Sequence, residues 1–172
     1  MNFLYTPNDI AVFLLKADFT LSDENDVIHD LWKNGVHIAK KYKKDEALFK
    51  RHIRAELASY TQGDETDELE LIMRDVDASF TIRNPEYEQD YIFQYFKVIC
   101  LELMYIYGKD YHKIKLRHLL RQFGYKRRSP QIMDHIKRAI KTLSLVIYLA
   151  RYVRCEIDNI GIDEMVIIRL KR

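Results

Sequence analysis

The chain of 172 residues holds only two cysteines, Cys100 and Cys155, far apart and outside any CxxC spacing. Their scarcity excludes a disulfide framework and a thiolate metal site, and it fits a reducing, cytoplasmic setting. Glycine is also rare, at five residues, and none of them belongs to a glycine-rich phosphate loop or a GxSxG elbow. Long apolar runs are missing too. The first one, AVFLL, meets Lys16 and Asp18, and no basic segment precedes it, so neither a signal peptide nor a membrane span is expected.

Catalytic and metal signatures are equally absent from the six histidines. His29 and His37 lie about two turns apart on one expected helix, and His112 and His118 flank an expected strand-to-helix boundary, but no HExxH, HxH or cysteine partner accompanies them. The acidic run GDETDELE lacks the alternating oxygen ligands and turn glycine of a calcium loop, and Glu68 and Glu70 fall in what reads as a solvated segment. The expectation is therefore no catalytic residue, no cofactor and no metal: a protein that is not an enzyme.

What the sequence does have is charge sorted by position. Net charge is only +2, yet residues 1–108 carry 12 basic against 20 acidic residues, residues 109–154 carry 13 against 2, and residues 155–172 carry 3 against 4. A fold needs no such separation, whereas a basic field attracts polyanions over long range.

The amino-terminal half reads as helices. Pro7 suits a first helical turn after Thr6, and NDIAVFLLK follows. A second helix is expected from about Ser22, with Val27, Ile28, Leu31 and Trp32 as its stripe, continued less regularly past Gly35 by Val36, Ile38 and Ala39. A third spans Asp45 to Tyr60 through Leu48, Phe49, Ile53 and Leu57. An acidic loop TQGDETDELE, a short helix LELIMRDV and a β-compatible SFTIR lead to Asn84 and Pro85, which mark a boundary. A long helix then runs to Gly108, apolar or aromatic on nearly all sides between Tyr91 and Tyr107. Such a helix needs more than one neighbour, so it is expected at the centre, between the amino-terminal helices and the basic segment, or in a dimer interface.

The basic segment has the sharpest pattern. YHKIK reads as a strand. Leu116, Leu119, Leu120 and Phe123 form one face of a helix that Gly124 ends. After the turn YKRR, Ser129 is a good N-cap and Pro130 a good first residue for a helix that buries Ile132, Ile136, Ala139, Ile140 and Leu143. At helical pitch, Gln131, Asp134, Lys137, Arg138 and Lys141 share the opposite face. Then LSLVIYLARYVRCEI and EMVIIRL, joined by DNIGID, read as a terminal β-hairpin.

Helix, strand, helix, helix, strand, turn and strand over residues 85–172 resemble the winged helix-turn-helix family of DNA-binding domains, by element order and spacing. The resemblance implies that the helix from Pro130 to Leu143 lies in the major groove and that the hairpin, the wing, touches the flanking backbone or minor groove. The chain is thus expected to be mainly α with a small C-terminal β-hairpin: an acidic helical region, residues 1–84, packed on a winged helix-turn-helix domain, residues 85–172. Two features depart from the family. The wing carries Glu156, Asp158, Asp163 and Glu164 where DNA-binding wings usually carry Arg or Lys. Ser144 stands where a glycine commonly ends the third helix, and the apolar pattern could run on helically through Val146, Ile147 and Ala150.

The first functional expectation is a transcription regulator that binds double-stranded DNA, with Lys126, Arg127, Arg128, Ser129, Gln131, Asp134, Lys137, Arg138 and Lys141 as its interface and the amino-terminal helices available for homodimerisation. Lys126 to Arg128 adjoin a helix N-terminus suited to phosphate, and the outer face offers amide and guanidinium groups to base edges. A second expectation, from another class, is a protein-interaction module on a winged-helix scaffold, whose acidic amino-terminal half docks a partner. A third is RNA binding through stacking on Tyr111 and Tyr125.

Overall fold

The structure, a computed structural model, describes residues 3–35, 37–62, 85–150 and 153–171. The expected helix LELIMRDV and the piece SFTIR lie outside them, as does the acidic loop beyond Gln62. The described residues are mainly helical, with a small three-stranded antiparallel sheet, and fall into two compact units, one on each side of the stretch from 63 to 84.

Among the described residues the amino-terminal unit has three α-helices and a 3₁₀ turn, Lys40–Tyr42, around a small apolar core. Helix α1 (Pro7–Ala17) starts as the sequence suggests, with Pro7 in the first turn and Thr6 as N-cap; Thr6 Oγ1 accepts from Asp9 N (3.1 Å) and Thr6 N donates to Asp9 Oδ2 (2.8 Å). This reciprocal box satisfies two donors that a helix end leaves open. Helix α2 (Leu21–Asn34) uses the same device, its cap two residues earlier than expected, with Thr20 and Asp23 in place of Ser22. It stops at Gly35, whose φ of 55° favours glycine, so the apolar residues after Gly35 do not extend it. Helix α3 (Glu46–Gln62) runs two residues past the expected end, and Asp45 Oδ1 caps its start by accepting from Leu48 N (2.8 Å). Ile10, Phe13, Leu14, Ile28, Phe49 and Ile53 are fully enclosed. The α1–α3 contact is the largest between helices here.

The carboxy-terminal unit begins with helix α4 (Pro85–Tyr105), followed by strand β1 (His112–Lys115), helix α5 (Leu116–Gln122), helix α6 (Pro130–Thr142), strand β2 (Leu145–Tyr148) and strand β3 (Met165–Leu170). The strands lie in the order β1-β3-β2. In the antiparallel register His112 opposes Ile168 and Leu145 opposes Leu170. The YHKIK segment therefore joins the terminal hairpin as a third strand. Its sheet covers one end of the helices, with Ile114, Val146, Val166 and Ile168 buried.

The core of this unit is where α4, α5 and α6 meet. Ile92, Phe96, Leu116, Leu119, Leu120, Ile132, Ile136 and Ala139 are inaccessible to solvent. Phe123 is 1% exposed and sits among Tyr91, Tyr95 and Phe96, with ring centroids 6.0, 5.3 and 6.3 Å away. Helix α4 also buries Cys100, and burial pushes its thiol up to about 12. One polar residue of α4 is buried too: Glu102 accepts from Lys109 Nζ and has His112 Nδ1 3.7 Å away.

The hairpin meets one expectation and departs from another. Helix α6 does not run on through Val146: Leu143 ends it, Ser144 adopts a left-handed φ of 52°, and β2 begins at Leu145. A β-branched, apolar run was compatible with either outcome, and pairing with β3 decided it. The strands, however, are shorter than LSLVIYLARYVRCEI suggests. Regular pairing ends at Tyr148, and a long loop containing a 3₁₀ turn, Ile157–Asn159, returns the chain to β3. Left-handed backbone strains any residue with a Cβ, so Ser144→Gly is expected to stabilise the unit by about 0.5–1 kcal/mol. A thermal melt checks this; a lower midpoint for the variant would mean that the serine side chain is needed there.

Candidate nucleic-acid interface

Helix α6 owes its position to its two faces. Ile132, Met133, Ile136 and Ala139 are buried, and α6 packs on α4, on β2 and on the 3₁₀ turn of the β2–β3 loop. The start is fixed by Ser129, whose Oγ accepts from Ile132 N (3.4 Å), with Pro130 as first residue. Arg121 O and Leu120 O accept from Gly124 N and Tyr125 N, both at 2.9 Å, and Gly124 has a φ of 80°. These bonds close α5 and turn the chain through Lys126, Arg127 and Arg128 into α6.

All nine residues anticipated as an interface therefore lie on one helix and the turn before it. Lys126, Arg127, Arg128, Gln131, Asp134, Arg138 and Lys141 are exposed, whereas Ser129 and Lys137 are half-buried. Their surroundings separate them into two groups. Lys126, Arg127, Arg138 and Lys141 have no ion pair among the described residues. Arg128 and Lys137 are already engaged.

The partner of that second group is the acidic β2–β3 loop. Asp158 Oδ2 lies 2.9 Å from Lys137 Nζ, and Asp158 O accepts from Arg128 Nη1 at 2.8 Å. Asp134 Oδ1 lies 3.0 Å from the same ammonium. Hydrogen bonding to Asp158 first, and to Asp134 next, raises the Lys137 pKa, while Lys137 lowers that of Asp134. At the other end of the loop Arg117 and Asp163 form a two-pronged pair, Nε–Oδ1 2.7 Å and Nη2–Oδ2 2.8 Å, which holds the Asp163 carboxyl below its usual range. These groups are exposed, so their pairing orients the loop more than it stabilises the fold.

The loop is anchored from below as well. Ile157 and Ile160 are buried. Helix α5 has no side-chain cap, and its first two N–H groups, from Leu116 and Arg117, donate to Glu164 O (3.1 Å) and Ile162 O (2.8 Å). The acidic residues Asp158 and Asp163 of the β2–β3 loop thus lie against the basic helices. No pattern in the sequence announces this, because Lys137 and Asp158 stand 21 residues apart and Arg117 and Asp163 stand 46 apart.

Several histidines have defined partners. His29 Nδ1 lies 3.0 Å from Glu46 Oε1, and a Tyr42 Oη–His52 Nδ1 bond spans 2.8 Å. His37 stacks on Phe3, and His135 keeps its Nδ1 enclosed without a hydrogen-bond partner among the described residues. Among the described residues no three His, Cys, Asp or Glu side chains converge in a way that would hold a metal ion, and no helix is long and apolar enough to cross a membrane. Tyr111 is 44% exposed, with Arg169 over its ring at 5.7 Å. No protein-family model matches this chain, and no curated protein or solved structure does.

Proposed function

We propose that residues 85–172 form a winged helix-turn-helix that binds duplex DNA through α6, as a transcription regulator would. The reading rests above all on one observation: α6 is docked through buried Ile132, Met133, Ile136 and Ala139, and with the turn before it presents four exposed cations, Lys126, Arg127, Arg138 and Lys141, that form no ion pair among the described residues, Arg138 sensing only the Asp134 charge one turn away. A rigid helix with unneutralised cations at its N-terminal turn and along one face suits phosphates at its end and base edges along its length. The strand order β1-β3-β2 around an α5–α6 pair supports the winged-helix assignment.

The test is selection from a random pool of short duplex DNA at two salt concentrations. Enrichment of a common sequence, with affinity falling steeply as salt rises, is the expected result. No retention even at low salt would overturn the reading.

The second reading, a protein-interaction module, draws support from Asp158, which occupies Lys137 and Arg128 much as a phosphate would. The two readings differ on Asp158→Asn. For a DNA-binding helix, removing that carboxylate leaves Lys137 with Asp134 as its remaining partner and subtracts a repulsive charge, so duplex affinity should rise by about three- to tenfold at low salt. A titration of labelled duplex measures it. Equal or weaker binding by the variant would mean that the acidic loop does not compete with DNA.

A further inference from the structure

We propose that the groove between the C-terminal half of α6 and the β2–β3 loop binds a small organic anion with an apolar body, of the aryl or acyl carboxylate or sulfonate class. The groove encloses about 400 Å³, within the range of ligand pockets of roughly 300–1,000 Å³. One side is apolar, formed by Ile140, Val146 and Ile157. The rim holds three cations from three separate elements: Lys141 from the last turn of α6, Arg154 from the loop, and Lys171 just after β3. All three are exposed and have no ion pair among the described residues.

The remaining lining groups leave that charge unbalanced. Lys137 reaches the groove but is committed to Asp134 and Asp158. Glu156 is the single carboxylate in the lining, set against three uncommitted cations. Cys155 adds no charge, because burial and then the Glu156 and Glu164 carboxylates raise its thiol pKa. The frame is held by backbone bonds: Lys171 N donates to Ser144 O (2.8 Å) and Cys155 N to Ile147 O (3.2 Å). Water screens each of these exposed cations, so the attraction for an anion comes from three of them converging on one groove. The apolar side rewards a ligand with carbon to bury, so a bare inorganic anion would use only half of the site.

This site is separate from the DNA reading, although Lys141 borders both, and its test contains no nucleic acid. The full chain is titrated with 1-naphthalenesulfonate, with the neutral 1-naphthalenemethanol and with inorganic sulfate, and binding is followed by calorimetry and by amide chemical shifts. The sulfonate is expected to shift the amides of Ser144, Leu145, Ile157 and Lys171, and to bind at least about tenfold more tightly than either control. The double variant Arg154→Ala/Lys171→Ala should weaken it by at least about tenfold while leaving the thermal midpoint near that of the parent, since both residues are exposed. Sulfate binding as tightly as the naphthalene compound, indicating an adventitious ion site only, would overturn the proposal. So would equal binding of the neutral alcohol, indifference to the double substitution, or no binding at millimolar concentration.

Discussion

Phe123→Ala is expected to cost the carboxy-terminal unit about 3–5 kcal/mol, the usual range for deleting a buried phenyl ring. The side chain is 1% exposed and touches the aromatic rings of Tyr91, Tyr95 and Phe96, all on α4. Truncation removes the transfer energy of the ring, the three edge-to-face or tilted contacts, and leaves a cavity that rigid helices close only in part. Since whole domains are stable by only about 5–15 kcal/mol, the thermal midpoint should fall by more than about 10 °C. Phe123→Leu, which keeps most of the volume, should lose under about 2 kcal/mol. A urea titration of both variants measures the difference, and a loss below about 1 kcal/mol for the alanine variant would show that the ring is not part of the core. The site depends on this ring at one remove. Phe123 directly follows α5 and precedes the turn that carries Lys126 to Arg128, so loosening it disorders the approach to α6.

What the sequence made legible follows from how local each signal is. Ser129 and Pro130 mark the start of α6 within two residues, and the one-face pattern Leu116, Leu119, Leu120 and Phe123 marks α5; both signals are complete inside a single turn or two of chain. The outward placement of Gln131, Asp134, Arg138 and Lys141 was legible for the same reason, since helical pitch alone sets it. The end of α6 at Leu143 was legible too, although no glycine marks it. Glycine usually signals a left-handed terminus, and here Ser144 takes it, held by the sheet that follows. The hairpin was overextended because every residue from Leu145 to Tyr148 suits a strand and so do several beyond, whereas β2 leaves β3 at Tyr148, with Val166 and Met165 of β3 still to come, and the chain folds back so that Leu149 N donates to Val153 O. Least legible was the commitment of Lys137 and Arg128. A charge count includes them with Arg138 and Lys141, and only the fold brings Asp158 to them.

That distinction between engaged and unengaged cations leads to the prediction with the largest expected effect on binding. Replacing Lys126, Arg127, Arg138 and Lys141 together with alanine should flatten the dependence of log affinity on log salt by about 3–4 units, because each phosphate contact contributes a slope of about 0.9. At about 0.1 M salt the same arithmetic lowers duplex affinity by on the order of a thousandfold if all four meet phosphate, and by proportionately less if Arg138 reads a base instead. Replacing Lys137 and Arg128 with alanine should lower affinity far less, since Asp158 already neutralises the one and binds the other. All six side chains lie on the surface or are half-buried, so melting curves should stay close to the parent and separate lost binding from lost folding. Binding isotherms at several salt concentrations give both slopes. An unchanged slope in the fourfold variant would remove α6 from contact with the phosphate backbone. Equal losses in the two variants would instead mean that the acidic loop leaves Lys137 and Arg128 when DNA arrives, making Asp158 a competitor that DNA displaces and not a fixed partner.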